Sequence, residues 1–305
     1  MDRLDAMHVL LATVDGGSLS AAGRQLGQPL STVSRKISEL ETRLGARLLV
    51  RSNRQVALTD AGRSYVAASR RILADVEEAE RAAAGEYSTP RGSLVMTAPV
   101  VFGRLHVLPV VTAFLAAYPE IDIRLVLADR IIHLVDDHVD LALRISELPD
   151  SSMVAIRLGS VRRVVCGSPG YLDRHGTPET PQALSSHGCI TLEGLMSANR
   201  WEFSDGEKSI AVPVRSRLAV NTAEAAVDAA IAGLGVTRVL SYQIAAAEQA
   251  GSLVRILREF EPAPAPVSLV YAAQGMLPLK LRAFLDFAAP RLKAALAGAA
   301  VAGPA

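Results

Sequence analysis

The sequence predicts an α + α/β protein: a winged helix-turn-helix at the N-terminus, then a long helix, then a two-lobed α/β domain. Three observations carry this expectation. Residues 18–62 join two short helical patterns through a tight Gly27-Gln28-Pro29 turn and continue into a basic, hairpin-like segment. Residues 62–84 hold an apolar seam at heptad spacing. From residue 93 onward strand and helix patterns alternate, and a Pro-rich stretch at 261–266 leads back toward the start of that region. The expected domains are 1–62, a linker helix and hinge over 63–92, and 93–305, with lobe I at about 93–166 and 266–305 and lobe II at about 167–265.

The first helix follows from Leu4, Met7, Leu11 and Val14, which recur at helical spacing before Gly16-Gly17 stops it. Ser18 is placed to cap a second helix whose Ala21 and Ala22 permit close packing, and Gly27 ends it. A third helix begins near Leu30. Val33, Ile37, Leu40 and Leu44 form its buried stripe, and Ser31, Thr32, Ser34, Arg35 and Lys36 crowd the other face near its N-terminus. Short hydroxyls, long cations and outward backbone N–H groups suit phosphate positioning and base-edge readout in a major groove. The segment 47–58 reads as a two-stranded wing turning at Ser52-Asn53, with Arg51 and Arg54 near the tip.

Charge supports the same head. Between residues 24 and 54 seven cations (Arg24, Arg35, Lys36, Arg43, Arg47, Arg51, Arg54) face two acids, Glu39 and Glu41, so this stretch carries +5 in a chain whose total is +1. Beyond it, Tyr65, Ser69, Ile72, Val76, Ala79 and Ala83 make the heptad seam, with Ser69 as one polar defect. A helix of this kind has no domain of its own to cover the seam. It is expected to pair with a second copy through Tyr65, Ile72, Val76 and Ala79.

In the α/β region, strands are expected at 93–98, 121–127 and 140–145 and a strand pair within 154–167, with helices at 102–118 and 131–135, an alternation that indicates a parallel sheet wrapped by helices. The second lobe should contain strands at 189–192, 210–214 and 217–220 and helices at 222–232 and 241–250; strand 267–272 and helix 278–288 return to the first lobe, and the tail 294–305 is expected to fray. Two α/β lobes joined by crossover strands make a clam with a cleft.

No apolar run reaches the roughly 18 residues that span a bilayer, so no membrane partner is expected. The N-terminus lacks the basic region and cleavage site of a signal peptide, and two cysteines do not make a disulfide framework. A cytoplasmic location is the natural reading. Asp136, Asp137, His138 and Asp140 have metal-ligand chemistry, but a polar turn before a buried strand explains them equally well, and no metal or other cofactor is assigned. No catalytic residues are assigned either: G-x-S-x-G, Walker and C-x-x-C signatures are absent, and Gly233-Leu234-Gly235 has Arg238 where a dinucleotide loop needs its third glycine.

The spaced matches at Ala21–Leu26 (AA-x-x-L), 33–45 (VSR-x-I-x-x-LE-x-x-LG), 48–51 (L-x-x-R) and 58–62 (LT-x-AG), followed by a long helix and a two-lobed domain, resemble the LysR-type transcriptional regulators over essentially the whole chain. The stretch RISELPDSSMVAIRLG followed by GSPGYL is similar to one subgroup. Where many members begin the recognition helix with Ser-Gln-Pro, this chain has Pro29-Leu30-Ser31, so Ser31, Thr32 and Arg35 are assigned on their chemistry.

The resemblance implies a dimerising linker helix, a periplasmic-binding-protein-like effector domain, and assembly as a homodimer or homotetramer on double-stranded DNA at pseudo-palindromic promoter sites, with RNA polymerase as a further partner. It also implies a small-molecule effector between the lobes. The residues that correspond here are Thr97, Ala98, Pro99 and Val100, Arg144 and Ile145, Asn221 and Thr222, and Thr237. Hydroxyls and helix N-termini near Arg144 would favour a small carboxylate or phenolate. The alternatives are a redox-responsive regulator acting through Cys166 and Cys189, a small-molecule binding protein without DNA function, and an enzyme.

Overall fold

The computed structural model describes residues 2–51, 56–83, 89–130, 134, 139–148, 153–193, 200–206, 208–272 and 277–301; the side chains at 51, 75, 78, 81–83 and 298–301 lie outside the description. The expected wing turn at Ser52-Asn53, Arg54, the acid–His cluster at 136–138 and most of the expected helix at 131–135 fall outside the described residues. The chain forms two compact units, Met1–Thr89 and Pro90–Ala305.

In the first unit, α1 (Arg3–Asp15), α2 (Leu19–Leu26) and α3 (Leu30–Leu44) are followed by β1 (Leu49–Arg51), β2 (Val56–Leu58) and α4 (Asp60–Ala83). Capping sets the boundaries. Asp2 accepts from the Leu4 N–H, and Ser18 accepts from the Ala21 N–H. Gly27 and Gly45 end α2 and α3 in the left-handed conformation, with φ of 63° at each. Leu10, Ala22, Val33, Ile37, Leu40 and Leu48 form the core; of the stripe expected on α3, Leu44 stays out of it, 40% exposed at the helix end, where Glu41 is buried instead. The antiparallel β1–β2 pair is the expected wing.

The wing is fastened at both ends. The carboxylate of the buried Glu41 accepts from the Leu48 and Leu49 N–H groups at 2.7 and 3.0 Å. Thr59 donates its hydroxyl to the Arg47 carbonyl at 2.7 Å and accepts from the Gly62 N–H at 2.9 Å, which starts α4. A Cβ on Gly62 would lie 2.0 Å from the Leu48 carbonyl oxygen, so the LT-x-AG stretch needs its glycine for a close backbone approach.

The helix α4 belongs to this unit, whereas the sequence suggested a border at 62. It packs on α1 through Val66, Ser69 and Leu73, all buried, and Arg70 pairs with Asp15. Ser69 is therefore no defect in an open seam. It lies in the intramolecular contact and donates to the Tyr65 carbonyl at 2.8 Å. The rest of the heptad stripe separates from it: Tyr65 and Val76 are half-buried, Ile72 is 40% exposed and Ala79 is exposed.

The second unit opens with β3 (Gly92–Ala98), α5 (Val100–Phe102), a π turn (Gly103–Val107) and α6 (Leu108–Ala117), then β4 (Ile121–Leu127), β5 (Leu141–Ile145), β6 (Met153–Val161) and β7 (Arg163–Gly167). Next come α7 (Pro169–His175), a 3-10 turn (Pro181–Ser186), β8 (Cys189–Leu192), β9 (Arg200–Asp205), β10 (Lys208–Pro213), β11 (Ser216–Val220), α8 (Ala223–Ile231), β12 (Val236–Leu240), α9 (Ser241–Gln249) and β13 (Val254–Ile256). A short 3-10 turn (Arg258–Phe260), β14 (Ala265–Ala272) and α10 (Leu279–Val301) complete it.

Two five-stranded sheets form the lobes, ordered β4-β3-β5-β14-β6 and β11-β8-β12-β7-β13. In the first, β3, β4 and β5 run parallel while β14 pairs antiparallel with β5 and β6, so the sheet is mixed rather than wholly parallel. The chain crosses between lobes at Arg162, because β7 pairs with β12 and β13; the expected border near 166 lies one strand too late.

Residues 100–117 are long and apolar enough to cross a membrane by length and composition. Here they form α5, the π turn and α6, with Phe102, Val107, Val111 and Phe114 buried in the first lobe's core. Arg104, which interrupts the stretch, pairs with Glu224 of α8 at 2.8 Å. The C-terminal helix α10 runs through Pro290 to Val301, where fraying was expected from 294. Leu292 and Leu296, four residues apart, are buried, and Leu296 lies against Gly159 of β6, where any larger residue would be tight.

Candidate functional site

Two sites follow from this architecture. The first is the outward end of α3. It starts at Pro29 with no side-chain cap, whereas α1, α2 and α4 are each capped by a side chain. The first turn of α3 therefore has no side-chain acceptor for its N–H groups, of which those of Thr32 and Val33 donate to the Pro29 carbonyl, and it carries the positive end of the helix dipole. Ser31 and Arg35 are exposed, Thr32 and Ser34 are half-buried, and Leu30 is 50% exposed at the same end. Arg35 reaches Glu39 at 2.8 Å, with both side chains in solvent, so the pair costs little to exchange for a phosphate or a base edge. Arg24 is exposed on α2.

Lys36, placed by the sequence among the DNA contacts, is turned inward. Its ammonium lies 2.8 Å from Asp5 of α1 and 3.1 Å from the Gln28 side-chain oxygen, and its side chain is 15% exposed. It braces α3 against α1, and no local sequence pattern could reveal a partner 31 residues away. The side chains of Arg51 and Arg54 lie outside the described residues.

The second site is a cavity of about 380 Å³ between the two lobes. It sits at the C-terminal ends of the parallel strands of both sheets, where α/β folds place ligands. Of the residues expected there, Pro99, Arg144, Ile145 and Asn221 line it. Thr97 and Ala98 are buried in the core of the first lobe instead. Thr222 caps α8 by accepting from the Ala225 N–H at 3.3 Å. Thr237 donates to the Ile190 carbonyl at 3.0 Å and is wholly buried; along β12 its side chain alternates with that of Arg238, and Arg238 lines the cavity. The expectation at 237 was one residue out of register. The Val100 N–H, expected to meet a ligand at a helix start, donates to Asp129 at 3.0 Å. The protein's own carboxylate thus occupies that helix end.

Residues not foreseen from the sequence carry most of the charge of the cavity, Arg163, Arg238, Arg130, Asp129 and Glu193, and the neutral Tyr242 lines it with them. Arg238 is 6% exposed, donates to the Glu202 carbonyl, and lies 5.8 and 5.9 Å from the Trp201 and Phe203 ring centres. Its Nε is buried without a partner. Burial and the neighbouring Arg163 push its pKa down to about 9, so it remains charged at neutral pH. Burial lowers Arg163 and Arg144 as well. The Tyr242 phenol is raised by burial and by Asp129, and stays neutral. Its ring meets Phe102 edge-on at 5.2 Å and His106 at 5.9 Å, which joins the second lobe to the first.

The two cysteines do not form a redox pair. Cys166 of β7 and Cys189 of β8 flank β12 on opposite sides, paired with Thr237 and Val236 respectively. Two strand spacings separate them by about 10 Å, beyond the roughly 7 Å that a disulfide spans. Adjacent partners on β12 put the thiols on opposite faces of the sheet, in separate cores. Burial pushes both thiols up to about 12. Among the described residues no group of three or more His, Cys, Asp or Glu could hold a metal.

Comparison with known proteins bears on both sites. Residues 4–63 match the family described as the bacterial regulatory helix-turn-helix protein, lysR family, and residues 88–293 match the LysR substrate binding domain. An HTH-type transcriptional regulator of Xanthomonas campestris pv. campestris is 37% identical over 288 residues, covering 93% of this chain and 84% of the relative. A probable HTH-type transcriptional regulator, LtrA, of Klebsiella pneumoniae is 33% identical over 301 residues, covering 98% and 97%. The solved structure of CrgA, a LysR-type transcriptional regulator from Neisseria meningitidis, superposes with a TM-score of 0.60 at 30% identity, covering 94% of this chain and 98% of that one.

Proposed function

The chain belongs to the LysR-type family of transcriptional regulators, and from that premise we propose that α3 reads promoter DNA under the control of a small organic acid held between the two lobes. Ser31, Thr32, Ser34 and Arg35 enter the major groove, with Arg24 on α2 and Arg51 and Arg54 on the wing holding the flanking phosphates. The observation that carries this reading is the start of α3: a helix end left uncapped, ringed by hydroxyls and carrying an arginine whose partner is solvent-exposed.

One recognition helix buries little surface, so specificity needs two. Ile72, Val76 and Ala79, with part of Tyr65, offer a second copy the outer stripe of α4, and the resulting dimer addresses a pseudo-palindromic site in the cytoplasm. Dimers pair further into tetramers, and RNA polymerase is the downstream contact. In the cleft, Pro99, Arg144, Ile145 and Asn221 meet the effector, which favours the lobe arrangement it binds best. The chain acts by binding and not by turnover. Selection of fragments from a random DNA library, followed by footprinting, tests the reading. The wild type enriches a symmetric site and its protection changes with ligand; a chain that enriches no sequence at any salt concentration contradicts it.

A further inference from the structure

We propose that Leu30 is a specificity-determining residue: its side chain packs on the 5-methyl group of a thymine in the major groove, at one position in each half of the promoter site. This rests on the reading of α3 given above. Among the described residues Leu30 is the most exposed of the large apolar side chains. By spacing it continues the stripe of Val33, Ile37 and Leu40, yet it lies past the end of the core and takes no part in it. An apolar side chain left in water at this place is stabilised by any apolar group that covers it.

The backbone that carries Leu30 is fixed on both sides. The Gln28 N–H donates to the Gly23 carbonyl at 2.9 Å, and the Gln28 side-chain oxygen accepts from Lys36 at 3.1 Å. On the other side the Pro29 carbonyl accepts from the Thr32 and Val33 N–H groups at 3.0 and 3.2 Å. The leucine therefore enters a complex with only its own side-chain torsions left to order. Its neighbours say what it meets. Residues four apart adjoin on a helix surface, so Leu30–Ser34 and Ser31–Arg35 make two side-by-side rows. One apolar side chain beside two hydroxyls and a guanidinium is a poor centre for a protein contact, whose buried middle is mostly apolar. Even without Lys36, six cations outnumber two acids between residues 24 and 54, and that excess calls for a polyanion. The floor of the major groove offers acceptors and donors that suit Ser31, Ser34 and Arg35, and the apolar group it presents beside them is the thymine methyl.

Affinity measurements on the full chain test the proposal. The probes are the duplex that the wild type selects from a random library and copies of it in which single thymines are replaced by deoxyuridine, which keeps the base pair and removes only the methyl group. The expected result is one thymine in each half-site whose replacement weakens wild-type binding about four-fold, the cost of one buried methyl group. Leu30→Ala binds the thymine and uracil duplexes equally at that position, and selection with Leu30→Ala no longer fixes the base there. Leu30→Ser is the second variant, and thermal melts report that each is folded. A selected site in which no thymine-to-uracil change weakens wild-type binding overturns the proposal. So does a methyl effect that survives in either folded variant, which assigns the methyl to another group such as Thr32, or a variant that keeps the selected site and changes oligomeric state, which assigns Leu30 to a protein contact. Arg35→Ala on the same duplexes separates the failures. A site that depends on Arg35 and is blind to the methyl refutes the role of Leu30 alone, whereas a wild type that enriches no site refutes the reading of α3 and this proposal with it.

Discussion

Glu41 joins the recognition helix to the wing, and removing its carboxylate should loosen both. Its side chain is 8% exposed, and one oxygen accepts from two buried backbone donors, Leu48 and Leu49, at 2.7 and 3.0 Å. Arg47 approaches the other oxygen at 3.8 Å but is 66% exposed, so it adds little. In Glu41→Ala two N–H groups lose a charged acceptor at a place water barely reaches. Each hydrogen bond to a charged group contributes about 1.5–3 kcal/mol. Relief from no longer burying a carboxylate offsets part of that loss, which leaves a net cost of about 2–4 kcal/mol. Glu41→Gln keeps an acceptor oxygen at the same reach and loses only the charge, so it should cost about 1 kcal/mol. The two compact units can unfold separately, so a single transition is the wrong readout. Urea melts followed by hydrogen exchange at the Leu48 and Leu49 amides report the wing directly. Faster exchange at these two amides in Glu41→Ala, with Glu41→Gln between it and wild type, is the expected order. A Glu41→Ala variant within about 0.5 kcal/mol of wild type, the ordinary range for a surface substitution, would refute the account of how the wing is held.

Two further outcomes test the second unit. Cys166 and Cys189, buried and pushed up to about 12, should both resist a thiol-specific chromogenic reagent in the native protein at pH 8 and react fully in urea; fast native labelling of either would contradict their placement. His106 has its pKa lowered from 6.5 by burial, and its Nε2 is buried without a partner. The unfolded chain therefore takes up this proton more readily than the folded one, and stability should fall as pH drops through about 6.5 toward the lower folded value. His106→Phe should flatten that acid limb in pH-dependent melts, and an unchanged limb would remove His106 as its cause.

The reading head was legible in the sequence because its signals are local. Ser18, Gly27 and Gly45 cap or terminate where their chemistry says they must, and Val33, Ile37 and Leu40 mark one face of one helix. Contacts between distant residues were not legible. Lys36 looks like any surface lysine until Asp5 is beside it, and Ser69 reads as a seam position until α1 covers it. The cleft was legible as a location, since strand C-termini face it, but only in part as a list of residues. Thr237 has the right chemistry and points the wrong way, while its neighbour Arg238 lines the cavity. A signal was available there: an arginine inside the apolar strand Val236–Leu240, with no acid adjacent, is a buried charge that needs a purpose. The crossing at Arg162 was displaced because β7 is an apolar run that either sheet could have accepted.

Arg35 and Lys36 are adjacent cations on α3 with opposite surroundings, and comparing them tests the central claim most directly. The measurement is the dependence of DNA affinity on salt for Arg35→Ala and Lys36→Met, on the site that the wild type selects. The account predicts that Arg35→Ala weakens binding and relaxes selectivity by about 1–3 kcal/mol if it reads a base, or lowers the salt slope by about one if it holds a phosphate. It predicts that Lys36→Met, once folded, keeps the wild-type slope and loses thermal stability instead. A Lys36→Met variant with a reduced slope beside an Arg35→Ala variant indistinguishable from wild type would mean that α3 meets DNA by a different face, or not at all.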